Sequence, residues 1–314
     1  MLKTNSLNQP QKTAFVLLAA IFILPVFSAP IALLAGAMFS LFFGNPWPNK
    51  SANWSKKLLQ LSVVGLGFSL SLSEVWTTGK AAIPWTFTGI VLTMVTGHFL
   101  GRWYATSSGV GTLVSFGTAI CGGSAIAAMA PIIKSKDEET AVALATIFTL
   151  NSLALILFPV IGHGINLSQE QFGLWAALAI HDTSSVVGAT SAFGSESLSV
   201  GTTVKLARAV WIIPCAFGIS WMLGEKGKTQ YPLFIFGFLI AAGIRSLLPQ
   251  FDSLWLHLTA LSRQALVLTL FLVGAGLTKE VITKVGLRPL AQGLTLWLFV
   301  SVISLGAILN GWVH

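Results

Sequence analysis

"TAICGGSAIAA", Thr118 to Ala128, sets a Cys-Gly-Gly-Ser patch in the middle of an apolar run, and "LAIHDTSSVVGA", Leu178 to Ala189, sets His-Asp-Thr-Ser-Ser in the middle of another. Lipid cannot hydrogen-bond an unwound backbone, so a break at Gly122-Gly123 is tolerable inside a membrane only where it faces protein or a watery cavity. The N–H groups freed there, with Ser124 just beyond, suit an anion at the start of a second half-helix. The competing reading is close packing, for which small residues also serve.

The surrounding composition makes the membrane reading unavoidable. Of 314 residues 54% are hydrophobic and 9% charged, the mean hydropathy is +0.80, and soluble domains carry about 25% charged residues. Apolar stretches fall near 14–27, 30–44, 58–76, 83–101, 112–133, 140–161, 172–194, 200–224, 231–248, 264–278 and 290–313, about eleven in all, joined by short connections. Each approaches the length of a spanning helix, and no long alternating pattern points to a β-barrel. The fold class is therefore all-α and polytopic, with 1–29 as an N-terminal segment and extra helix. "AFVLLAAIFILPVF" reads as a retained helix rather than a cleaved leader, because Phe27 and Pro30 do not suit cleavage after Ala29.

The formal charge of +8 does not point to nucleic acid, since the cations are scattered between apolar segments as orientation signals are. With the N-terminus inside, interior loops collect Lys3, Lys12, Lys50, Lys56, Lys57, Arg102, Lys226, Lys228, Lys279, Lys284 and Arg288, 11 of the 18 Lys and Arg. Segments 112–133 and 172–194 each fit either a broken crossing or a re-entrant hairpin; the hairpin would bring Lys134 and Lys136 inside as well. Cys121 and Cys215 imply neither a disulfide framework nor a metal site, and His98, His163 and His257 have no partners at metal-ligand spacing.

An aspartate inside a membrane costs roughly 2.5–3.5 kcal/mol on insertion scales, which marks His181-Asp182 as a functional pair. Asp182 can exchange a proton, pair with a cation or fix a tautomer of His181; capping a helix break at a membrane rim is the structural alternative. Lys205 and Arg208, three apart, share a helix face. They either snorkel to a rim or point inward, where an arginine fork and a lysine point charge suit an oxyanion, with Asp182 balancing them when the site is empty. The patches also align weakly with each other, "AICGGSAI" on "AIHDTSSV" and "ETAVALATI" on "ESLSVGTTV", which is either chance in so biased a composition or a trace of local duplication such as transporters carry.

At these residues the chain resembles the YeiH family of bacterial membrane proteins, described as candidate sulfate exporters. The resemblance runs from about Ile31 to Trp312. The family's Ser/Thr-x-Ile-Cys-Gly-x-x-Ala matches Thr118 to Ala125, its Lys after a Pro-containing stretch matches Lys134, and its His-Asp/Glu matches His181 and Asp182. Its Lys-x-x-Arg followed by proline matches Lys205, Arg208 and Pro214, and its Gly-Leu-Arg-Pro-Leu matches Gly286 to Leu290. Many relatives have Ala-Gln at Ser184-Ser185 and a basic residue at Ser69, so an anion is expected here rather than sulfate in particular.

The family is similar to the wider cation:proton antiporter and anion transporter group. That resemblance implies two inverted five-helix repeats, 30–161 and 162–314, whose discontinuous or re-entrant helices meet at the midplane, with breaks at Gly122-Gly123 and Gly274-Gly276. It implies further a multi-pass bacterial inner-membrane protein, N-terminus cytoplasmic, and a homodimer by analogy.

The expectation is a secondary transporter or exporter of a small anion such as sulfate or a related oxyanion or sulfonate, coupled to H⁺ or Na⁺, without cofactor, metal or enzymatic activity. Its substrate would sit among Thr118, Cys121, Gly122, Gly123, Ser124, His181, Thr183, Ser184, Ser185, Lys205 and Arg208, with Asp182 or His181 coupling the ion. A Na⁺/H⁺ exchanger carried by Asp182 is the alternative. An intramembrane hydrolase built on His181, Asp182 and Ser184 or Ser185 is remote, because adjacent helical residues diverge and no nucleophile elbow is present.

Overall fold

The computed structural model describes residues 9–24, 26–27, 29–222, 233–276 and 286–313. Lys3, Lys226, Lys228, Lys279 and Lys284, used above for orientation, lie outside them. The described residues form helices and no strands, and five helices are long and apolar enough to cross a membrane: Leu72–Trp103, Glu138–Gly164, Ser195–Met222, Pro249–Ala275 and Leu287–Leu309. The protein is thus a helical membrane protein.

The chain forms two compact units. Unit 1 comprises Met1–Ser71 and Gly237–Thr283, with helices α1 (Gln9–Ile21), α2 (Ala29–Phe43), α3 (Pro48–Leu66), most of α12 (Leu233–Leu247) and α13 (Asp252–Ala275). Glycines set its packing: a Cβ on Gly36 would strike the Phe271 carbonyl and one on Gly274 the Leu33 carbonyl, so α2 and α13 lie backbone to backbone. Phe15, Phe39 and Phe271 close the aromatic core beside them. Helix α13 runs to Ala275 with Gly276 as its C-cap, and Gly274 is used for contact with α2; residues 277–285, which follow the break expected at Gly274-Gly276, lie outside the described ones.

Unit 2 comprises Leu72–Phe236 and Lys284–His314. It contains α4 (Leu72–Trp103), α5 (Ser108–Ala119), α6 (Gly123–Met129), α7 (Asp137–Gly164), α8 (Gln169–Ala179), α9 (Thr183–Phe193), α10 (Ser195–Val210), α11 (Ile212–Met222) and α14 (Leu287–Leu309). Both polar patches are here, each splitting an apolar segment into two short helices. The expected repeat boundary at 161/162 falls near the end of α7.

Each split segment is a hairpin. The first returns to its starting point: Ser107 Oγ, just before α5, donates to Glu139 Oε1 in the first turn of α7 at 2.7 Å, and Ile126 of α6 folds back against Gly117 of α5. The second behaves alike at the other end of α7. There the Glu196 N–H of α10 donates to Gln169 Oε1 of α8 at 3.1 Å, and Phe193 stacks on Phe172 at 3.9 Å and on His163 at 4.2 Å. Since α7 has 28 residues, about 42 Å at 1.5 Å per residue, the two hairpins enter unit 2 from opposite ends.

Their register matches the weak local alignment. Ile120 and Ile180 are the C-caps of α5 and α8, and Gly122 and Asp182 are the N-caps of α6 and α9. These are the residues that "AICGGSAI" and "AIHDTSSV" place opposite one another.

Candidate functional site

The hairpins meet tip to tip. A Cβ on Gly122 would lie 3.3 Å from Asp182 Cα and 3.4 Å from Ile147 Cγ2 of α7. Gly122 has φ +65°, a conformation that strains any side-chain-bearing residue, so tip 1 is turned by glycine. Tip 2 is turned by a side chain instead. The Asp182 carboxylate accepts from Ser184 N at 3.0 Å, Ser185 N at 3.3 Å and the Ser184 hydroxyl, the usual way to satisfy a helix's first N–H groups.

Breaking two helices leaves two sets of C-terminal carbonyls without helical partners, and hydrocarbon offers them nothing. Helix α10 supplies the donors. Gly201, Lys205 and Arg208 recur at helical spacing on one face. Gly201 lets α10 approach α8, with a Cβ there only 3.3 Å from the Gly173 carbonyl. One turn on, Lys205 Nζ donates to Ile180 O at 2.6 Å and Ala177 O at 3.4 Å.

Arg208 joins the two hairpins: Nε donates to Ala119 O at 2.8 Å, Nη2 to Thr118 O at 3.4 Å, and Nη1 to Leu178 O and, at 3.4 Å, to Ala177 O. A cation on the negative end of a helix is also favoured by the macrodipole. Both side chains are buried, at 0% and 1% exposure, so neither snorkels.

The remaining expected residues distribute around this junction. Cys121, Gly122, Thr183, Ser184 and Ser185 are buried, Gly123 is half-buried and Ser124 is exposed. Thr118 Oγ1 and both His181 ring nitrogens are buried without a partner. Asp182 forms no ion pair with Lys205 or Arg208; its carboxylate is committed to the α9 cap, because an adjacent helix start offers it two N–H groups and a hydroxyl. Helix α6 has only seven residues, so the positive end expected there is weak. No group of His, Cys, Asp and Glu suited to a metal occurs among the described residues. In unit 1, Arg245 Nη1 donates to Ser69 O at 2.6 Å.

Some residues that shape the site were not singled out in the sequence. Gln292 of α14 is fully buried and clamps the base of hairpin 1. Its Nε2 donates to Gly97 O at 3.2 Å and Gly111 O at 3.1 Å, and its Oε1 accepts from Thr106 Oγ1 at 2.8 Å. Trp175 Nε1 ties hairpin 2 to the same helix through Ser301 O at 3.0 Å. A lone amide in an apolar run was the available signal for Gln292. A cavity of about 260 Å³ runs beside hairpin 2, from Glu170 near its base past Thr77 and Trp85 to Leu178 and Val204.

Comparison with known proteins places this arrangement. The chain matches the family model described as Conserved hypothetical protein 698 over residues 13–293. It is 53% identical to a UPF0324 membrane protein of Geobacter sulfurreducens over 302 residues, covering 96% of this chain and 97% of that one. The chain belongs to this family. Another member, from Bdellovibrio bacteriovorus, is 47% identical across 99% of this chain and 98% of its own, and one from Shewanella oneidensis is 42% identical across 97% of each. The YeiH resemblance is to this same UPF0324 family, whose names specify a membrane protein and no activity. No solved structure matches the chain.

Proposed function

We propose that this UPF0324 protein is a secondary transporter of a small anion, such as sulfate or a related oxyanion, across the bacterial inner membrane, driven by H⁺ or Na⁺. The observation that carries the reading is the buried charge at the hairpin junction. Lys205 and Arg208 bring two positive charges to the junction and Asp182, held at the α9 cap, one negative, and no charged side chain forms an ion pair with either cation among the described residues. One uncompensated positive charge in a water-poor interior is costly alone and is relieved by an anion. A Na⁺ carrier would need its carboxylate free, whereas Asp182 caps α9.

In this reading the hairpins are re-entrant, their tips lie near the bilayer midplane, and substrate reaches them alternately from the two faces, as in transporters built on discontinuous helices. The described cations of unit 2 away from the tips support an orientation. Arg102, Lys134, Lys136 and Arg288 lie at the hairpin 1 end of α7, and Lys80 at the other. The hairpin 1 end is then cytoplasmic by the positive-inside rule; a cytoplasmic N-terminus is a separate part of the proposal, resting on the Lys and Arg count of the whole sequence. The finer expectations, about eleven segments and a homodimer, belong to this proposal too.

The test is uptake of labelled sulfate, then of other small oxyanions, into proteoliposomes with imposed pH or Na⁺ gradients. Saturable, gradient-dependent flux that Arg208→Ala abolishes in correctly inserted protein is the expected result. Cation exchange with no anion required would refute it.

A further inference from the structure

We infer that Asn151, with Thr118 and His181, binds the substrate at the hairpin junction and selects a singly charged oxyanion that carries a hydroxyl group. The inference rests on the anion-transport reading and narrows it. Asn151 belongs to neither polar patch.

It stands at the fifteenth position of the 28-residue α7, about halfway between the two hairpin bases. Ile147, one turn earlier on the same face, touches the place where a Cβ on Gly122 or Gly117 would stand. The flanking Leu150 and Ala154 pack in one apolar cluster with Ile180 and Val186 of hairpin 2. Asn151 thus sits in the layer where the tips meet, on the side of hairpin 2.

In that layer polar atoms are left over. Asn151 is 3% exposed and neither Nδ2 nor Oδ1 has a partner; His181 is 1% exposed with both ring nitrogens unpartnered; Thr118 is fully buried with its hydroxyl unpartnered. Each such group costs about 1–3 kcal/mol when left unmade; elsewhere among the described residues the unpartnered buried groups are single hydroxyls, of Ser40, Ser197, Thr202, Thr259 and Ser301, with no amide or imidazole among them. Three around one junction describe a binding surface.

Their chemistry restricts the ligand. Lys205 and Arg208 spend all but one N–H each on carbonyls, so Asn151 Nδ2, the Thr118 hydroxyl and a His181 N–H supply most of the donors left for anion oxygens. Asn151 Oδ1 is an acceptor, and a fully deprotonated oxyanion would set lone pairs against it. An oxyanion with an O–H satisfies both ends of the amide. The single surplus positive charge at the junction likewise matches a monoanion better than a dianion.

The experiment uses the full-length purified protein and two isosteric pairs that exchange O–H for CH₃: hydrogencarbonate against acetate, and dihydrogen phosphate against dimethylphosphinate, at mildly acidic pH for the second pair. Sulfate serves as a dianion without O–H. Thermal stabilisation measures affinity through ligand linkage, and competition in proteoliposome flux measures transport. The hydroxylated member of each pair should bind about tenfold tighter, the equivalent of one good hydrogen bond. Asn151→Leu should reduce that preference to within about twofold while leaving the methyl-bearing anions bound.

Should Asn151→Leu fail to insert, Asn151→Ser carries the same expectation, and the wild-type ranking stands by itself. Equal affinity within the pairs, sulfate as the preferred ligand, or a preference that survives both variants would overturn the inference while leaving anion transport intact. Failure of every anion to bind or move would remove the transport reading and this inference together.

Discussion

Hairpins 1 and 2 solve the same problem with different chemistry. Both stop a helix inside an apolar unit and both give their broken C-terminal carbonyls to α10, yet tip 1 turns on Gly122 with no side-chain cap while tip 2 turns on Asp182 capping α9. Tip 1 is therefore a steric device, and Asp182 leans against it: glycine lets the two backbones close to van der Waals contact. Tip 2 is an electrostatic device that fixes a carboxylate at the junction. The difference teaches that the cations of α10 belong to neither tip; they are shared, and Arg208 binds the two hairpins into one object.

The largest effect should come from removing the shared element. Arg208→Ala strips donors from carbonyls of both hairpins at once, and flux should fall by at least about 100-fold with a lower melting temperature. Arg208→Lys should recover little, because a lysine cannot reproduce a fork that spans two helix ends. Recovery to near wild-type flux would show that charge alone matters there.

A sharper break of the comparison is Gly122→Ala. The strained φ costs about 1–3 kcal/mol and the new Cβ lies 3.3 Å from Asp182 Cα, so the melting temperature should fall clearly. Asp182→Asn, by contrast, keeps an oxygen in capping position and should cost less than about 1 kcal/mol while changing ion coupling. Equal destabilisation by the two would erase the distinction between a steric and an electrostatic tip.

Gln292→Leu should destabilise by about 2–3 kcal/mol, removing the amide's hydrogen bonds to the Gly97 and Gly111 carbonyls and from Thr106 Oγ1. Hydrogen exchange should rise in α5 and α6 and stay unchanged in α8 and α9. Trp175→Phe, removing one hydrogen bond to Ser301, should cost about 1 kcal/mol and show the reverse pattern. The smallest effect is expected from Glu139→Gln at the exposed base of hairpin 1, within about 0.5 kcal/mol by melting temperature.

Much of this was legible in the sequence, for physical reasons that also mark where legibility ended. Polar residues amid hydrocarbon exposed both breaks, and the caps Gly122 and Asp182 fall where the patches "ICGGS" and "IHDTS" align. The choice between crossing and hairpin was hidden, because hydropathy counts residues and is blind to direction. It is decided by the contacts Ser107 to Glu139 and Gln169 to Glu196, 32 and 27 residues apart. The partners of Lys205 and Arg208 were hidden too, since a carbonyl freed by a helix end leaves no letter in the sequence. Gly274 is a contact with α2 and Gly276 the cap that ends α13, uses that a glycine pair in an apolar run does not tell apart. Asn151 and Gln292 were visible as lone amides and were passed over because no neighbouring residue made a motif with them.

The opposed hairpins are tested most directly by side-specific labelling. In a background with Cys121 and Cys215 replaced by alanine, single cysteines at Ser107, Ser135, Ser168 and Ser195 would be probed in oriented vesicles with a membrane-impermeant maleimide. The account expects Ser107→Cys and Ser135→Cys to react from the cytoplasmic face, and Ser168→Cys and Ser195→Cys from the opposite face. Reaction of the Ser107 and Ser135 positions from opposite faces would make the first patch a broken crossing and contradict the account.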